Sequence, residues 1–115
     1  MKIGDLARET GASTRMLRYY EEQGLLRSER SGGGHRRYAE DTPAAVRNIR
    51  GLLAAGLPTH LIREILPCVE GPSLADLHPC VRRYLDEQLS EMDARISTLQ
   101  QSRSALASLI QTTAA

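Results

Sequence analysis

From Cys80 to about Ile110 the chain runs thirty-one residues without a glycine or a proline. Within that run Leu85, Leu89, Met92, Ile96, Leu99, Leu106 and Ile110 recur at alternating spacings of four and three, with Arg103 standing at one position of the series. At ~1.5 Å per residue such a segment is a rod of roughly 46 Å. Its faces away from the apolar seam are polar, so it is no core helix, and one narrow seam calls for a partner helix. The rest of the chain holds no helical pattern of matching length. The expected partner is the same rod from another subunit, meeting it through Leu85, Leu89, Met92, Ile96, Leu99 and Leu106. The competing arrangement is a helix folded back on its own domain.

Ahead of the rod the pattern changes. Ile3 to Thr10 reads as a first helix, with Ile3, Leu6 and Ala7 on one face. Gly11-Ala-Ser13 forms a tight turn whose glycine accepts positive φ, and Ser13 stands where it can cap a second helix from Thr14 to Gln23. That helix stops at Gly24. Leu17 and Tyr20 face inward, which leaves Arg15, Arg18, Tyr19 and Glu22 outward and Thr14 at the leading end. Leu25 to Arg30 reads as an extended stretch broken by Ser31-Gly-Gly-Gly34, and His35-Arg-Arg-Tyr38 resumes it as the second arm of a hairpin. A third helix starts at Asp41 or Thr42, tolerates Pro43 in its first turn and ends at Gly56. A fourth opens at Pro58 or Thr59 and stops at Pro67. Cys68 to Pro79 is the least regular segment, although Ser73-Leu-Ala-Asp76 is built to cap one short helical turn.

The fold class is therefore mainly α: a winged helix-turn-helix with a two-stranded wing, a second helix pair and a long C-terminal dimerisation helix. The boundaries are 1–67 for the winged domain with its second pair, 68–79 for an irregular linker and 80–112 for the coiled-coil helix. A formal net charge of +1 says little, but its distribution says more. Residues 1–56 carry net +3 and residues 57–115 net −2, and nine of the ten cations in the first part are arginine. Arginine's planar fork suits bidentate contact with phosphate and guanine. Two arginines and a tyrosine on one short helix, beside a basic glycine-rich hairpin, suit a helix entering the major groove while the hairpin grips the backbone. No apolar run approaches membrane-spanning length and no signal peptide opens the chain, so a cytoplasmic protein with no membrane partner is expected. Paired carboxylates, a phosphate-cradling loop and a nucleophile–base pair are all missing, so no catalytic residue, enzyme activity or cofactor is expected.

The order of these parts resembles the MerR family of bacterial transcription regulators over nearly the whole chain. Met1-Lys-Ile-Gly-Asp-Leu-Ala7 is similar to the family's opening, and Leu17-Arg-Tyr-Tyr-Glu21 with Gly24-Leu-Leu26 to its recognition-helix core. Arg36-Arg-Tyr38 sits where the family's wing returns, and Ile62-Arg-Glu-Ile65 resembles its second helical pair. The resemblance implies a homodimer, paired antiparallel through the rod, on a palindromic promoter operator in double-stranded DNA. It implies that the dimer distorts the promoter spacer for RNA polymerase. Carried over residue by residue, it assigns DNA contacts to Thr14, Arg15, Arg18, Tyr19, Arg36 and Arg37. Arg15 and Arg18 would meet bases or phosphates, and Tyr19 a phosphate. Tyr20 is expected to be packing, and Tyr38 to close the wing onto the third helix. His35 is read as either a solvated wing side chain or a backbone contact.

Most members carry a sensing element after the dimerisation helix, whereas this sequence runs only to Gln111-Thr-Thr-Ala-Ala115, which puts metal activation in question. Three readings of Cys68 and Cys80 stay open. They are small buried hydrophobes; or a thiol sensor, with Cys80 in the first turn of the rod where the helix dipole favours thiolate; or, with His78, ligands for a soft metal completed by the other subunit. A DNA-architectural module, or a protein-interaction module without an effector, would keep the rod. The interaction module would have no need of Arg15, Arg18 and Arg36 together.

Overall fold

The computed structural model describes residues 1–30, 32–69, 71 and 73–113. Ser31 at the expected wing tip, Glu70 and Pro72 of the expected linker, and residues 114–115 lie outside the described residues. The chain divides into two compact units, Met1–Pro79 and Cys80–Ala115.

In the first unit, α1 (Ile3–Thr10) and α2 (Thr14–Glu22) form the helix-turn-helix. Asp5 reaches back to accept the Lys2 amide at 3.2 Å, and Ser13 Oγ accepts the Met16 amide at 3.1 Å, so each helix has a partner for an otherwise orphan N–H at its start. Gly11 adopts φ 75°, which turns the chain sharply enough for α2 to cross α1. Leu6 and Leu17 are fully buried between the two helices and α3 (Thr42–Ala54), which contributes Val46 and Ile49; α4 (Thr59–Ile65) adds Ile62 and Ile65. Each such side chain adds about 1.5–3 kcal/mol by leaving water.

Two arginines tie the helix pairs together. Arg50 Nη1 on α3 donates to the Thr10 carbonyl at 3.1 Å, and Arg63 Nε on α4 donates to the Gln23 carbonyl at 2.8 Å. Each places a cation at the C-terminal end of α1 or α2, where unpaired carbonyls and the helix dipole favour it.

The wing is shorter than the alternation suggests. Only Glu29–Arg30 (β1) and Arg36–Arg37 (β2) pair, antiparallel, with Glu29 opposite Arg37 and Arg30 opposite Arg36. Leu25 and Leu26 are not strand residues. The Leu25 amide closes onto the Tyr20 carbonyl at 2.9 Å, and both leucines are buried in a turn after α2. Burial has claimed residues whose pattern alone reads as extended.

After α4 the chain makes a tight turn at Leu66–Cys68, a Val69–Leu77 bridge and a second short turn at Leu74–Asp76, for which Ser73 and Asp76 form the expected cap. The His78 amide donates to the Cys68 carbonyl at 2.9 Å, closing the neck of this loop.

In the second unit α5 runs from Arg82 to Thr113, 32 residues. Cys80 is not in its first turn, as the sequence suggested. It lies in the tighter 3-10 turn Pro79–Val81 ahead of the α-helix. Leu89, Ile96, Leu99, Leu106 and Ile110 are exposed along the seam, and so is Leu109, which the heptad reading passed over. Among the described residues no helix is long and apolar enough to cross a membrane.

Candidate nucleic-acid interface

The outward face of α2 follows from what its inward face buries. With Leu17 and Tyr20 committed to the core, Arg15, Arg18, Tyr19 and Glu22 are exposed together, and Thr14 is half-buried at the helix start. Tyr19 is 48% exposed, its ring centroid 6.3 Å from that of Tyr20. The polar tip of Tyr19 is therefore available to a ligand while Tyr20 anchors the helix.

Arg18 and Glu22 also line a cleft of about 490 Å³, whose other walls are Lys2, Ile3, Gly34, His35 and Arg36. Helix, wing and chain start therefore converge on one concavity, with Lys2, Arg18 and Arg36 against Glu22. Such a cleft attracts anions. Arg37 is not part of it, since neighbouring strand residues point to opposite faces. Lys2 is the residue the sequence reading missed. It is placed here because the Tyr38 amide donates to the Met1 carbonyl at 2.7 Å, pairing the chain start with the end of the wing. No local pattern announces a contact across 37 residues.

The wing is held to α2 by charge. Arg36 Nη1 lies 2.8 Å from Glu21 Oε2, with the carboxylate side chain only 17% exposed. Tyr38 is buried with its hydroxyl beside both groups. Tyr38 Oη and Glu21 Oε1 are both shut away from solvent at this junction. Burial pushes the Tyr38 phenol up from its ordinary 10.0, the Glu21 charge adds to this, and Arg36 opposes it. The buried Tyr38 hydroxyl thus lies beside Glu21 of α2.

Neither cysteine lines this cleft. Cys68 is half-buried, its thiol 3.9 Å from the Glu64 carbonyl, and Cys80 is exposed. Among the described residues no three His, Cys, Asp or Glu side chains gather to hold a metal ion.

A two-helix reader, a short basic wing and a separate long helix define a winged helix-turn-helix regulator. The profile of the MerR HTH family regulatory protein matches residues 1–67, and the chain belongs to that family. It is 31% identical over 110 residues to the HTH-type transcriptional regulator HmrR of Rhizobium leguminosarum bv. viciae, covering 96% of this chain and 84% of HmrR. It is 42% identical over 87 residues to the nodulation protein NolA of Bradyrhizobium elkanii, which is 74% of this chain but only 37% of NolA's length. The fold superposes on the crystal structure of the transcription regulator PbrR691 from Ralstonia metallidurans CH34 in complex with lead(II). The TM-score is 0.82 at 26% identity, over 96% of this chain and 85% of that one. The protein is a MerR-family transcriptional regulator.

Proposed function

We propose that the chain binds double-stranded promoter DNA sequence-specifically, as a homodimer on a palindromic operator, and regulates transcription by distorting the promoter spacer presented to RNA polymerase. The observation that carries this reading is the convergence of Arg18 from α2 with His35 and Arg36 from the wing on one cationic cleft, beside the exposed Arg15 and Tyr19. A reading helix and a backbone-gripping hairpin need that geometry. In it, Arg15 and Arg18 meet base edges or phosphates, Thr14 and Tyr19 position the helix, and Arg36, Arg37 and Lys2 meet the backbone on either side. The homodimer forms through the seam of α5.

Fluorescence anisotropy on the DNA upstream of the protein's own coding sequence, taken over a salt series, tests the proposal. Saturable, salt-sensitive binding that beats scrambled DNA supports it. Equal affinity for both sequences at every salt concentration removes this promoter as a specific target. Arg18→Ala is expected to weaken specific binding by ~1–3 kcal/mol if the guanidinium reads a base.

A further inference from the structure

The first unit holds a second cleft, of about 440 Å³, which shares no lining residue with the cleft of Lys2, Arg18 and Arg36. One wall is a single face of α3, since positions 41, 44, 45 and 48 lie three and four apart. Ala44 and Ala45 keep that wall low. The facing wall is apolar: Leu25 from the turn after α2, Leu66 just past α4, and Val69 beyond it. The segment that carries Val69 is braced. The Val69–Leu77 bridge and the Cys68 carbonyl hold its neck, and the Asp76 side chain packs where a Cβ on Gly71 would stand. Leu74 reaches α3 itself, its Cδ1 only 2.9 Å from where a Cβ on Gly51 would be. The cleft is therefore held open by packing on both sides.

Two polar groups line it, and the fold uses neither. Asn48 is only 8% exposed, yet its side-chain amide makes no hydrogen bond among the described residues. A buried amide offers two donors and an acceptor, and leaving them unmet is unfavourable. Asp41 is the N-cap of α3, but its carboxylate makes no capping hydrogen bond and stands exposed at the mouth. Among the described lining residues none is a cation. The lining therefore disfavours an anion and suits a cation with an apolar body.

We propose that this cleft binds a small amphipathic amine that carries a hydrogen-bonding group at its far end. The ammonium sits at Asp41, and the apolar body lies against Leu25, Leu66 and Val69. Asn48 is seven residues on from Asp41, ~10 Å along the helix axis, and takes the distal polar group. Two anchors at that separation, with apolar walls between them, set the length of the ligand as well as its charge.

Tyramine has this layout, with an ammonium at one end and a phenolic hydroxyl at the other. Its titration into the full-length ¹⁵N-labelled protein, followed by ¹H–¹⁵N correlation spectra, tests the site. Saturable shifts are expected at the Asn48 side-chain amide and at the backbone amides of Ala44, Ala45 and Val69. A millimolar dissociation constant is expected of so small a probe. 2-Phenylethylamine lacks the hydroxyl and 4-ethylphenol lacks the ammonium, and each is expected to bind about three- to tenfold more weakly. The anionic counterpart, 3-(4-hydroxyphenyl)propionate, is expected not to saturate the site. Asn48→Leu, of similar volume, removes the preference for tyramine over 2-phenylethylamine. Asp41→Asn removes the preference over 4-ethylphenol. Should circular dichroism show Asn48→Leu to be unfolded, the exposed Asp41→Asn replacement decides alone. The absence of any saturable shift with tyramine would overturn the site and leave Asn48 to water. Equal affinity for the propionate, unchanged preferences in the folded variants, or shifts centred on the rod or on Arg18 and Arg36 would overturn it as well.

Discussion

Glu21, Arg36 and Tyr38 form one coupled cluster in the first unit. Removing the carboxylate in Glu21→Gln frees Arg36 and loosens the wing. The expected outcome is faster amide exchange at β1 and β2 with little change in the core, measured by hydrogen–deuterium exchange. Tyr20 and Tyr38 give the fold an alkaline limit. Burial raises both phenols above 10.0, so the folded chain favours the neutral hydroxyl. Their contribution to stability is complete below pH 10 and is lost as pH rises through the folded-state values. A denaturation midpoint falling from about pH 10 upward is expected, with a shallower fall in Tyr38→Phe. A midpoint flat through that window would contradict it. At the acid end, the Lys2 amide and Arg8 hold the Asp5 carboxyl below its ordinary 3.8 against a smaller opposing effect of burial, so its contribution is lost as pH falls beneath that value.

Among the elements, the helices were the most legible in sequence. Ser13 and Gly11 bracket the turn, Pro43 sits in the first turn of α3, and Gly24 follows α2 with φ 75°. Capping chemistry is local, so it shows in a short window. The wing was legible only as a hairpin. Its true length depends on Leu25 and Leu26 sinking into the core, a tertiary event with no local signature. The candidate site divides the same way: the exposed face of α2 follows from helical periodicity, whereas the cleft shared by Lys2, Arg18 and Arg36 is created by long-range pairing. The arginine links between helix pairs were equally invisible, and they carry a prediction. Arg63→Ala removes the cation at the end of α2 and should cost about 1 kcal/mol of stability, read as a lower urea midpoint at unchanged slope.

For the whole molecule the decisive surface is the apolar seam of α5, with Leu99 70% exposed and Leu106 59% exposed. Leu89→Asp puts a charge into that seam and is expected to convert the protein to a monomer in sedimentation equilibrium, with loss of cooperative binding to paired half-sites. A dimer mass at micromolar concentration in that variant would locate the interface elsewhere.

The ion pair between wing and helix bears on how DNA affinity is to be read. DNA carries a condensed layer of cations, and a side chain that neutralises a phosphate releases them. Arg36 already holds a fixed anion, Glu21. On the DNA-binding reading proposed above, Glu21 offsets part of the charge that Arg36 brings to a phosphate, so Arg36 is expected to add less to the salt slope than Arg15 or Arg18, and a count of phosphate contacts taken from that slope to fall short. In return the wing waits already in position, so little ordering is left to be done at the moment of binding.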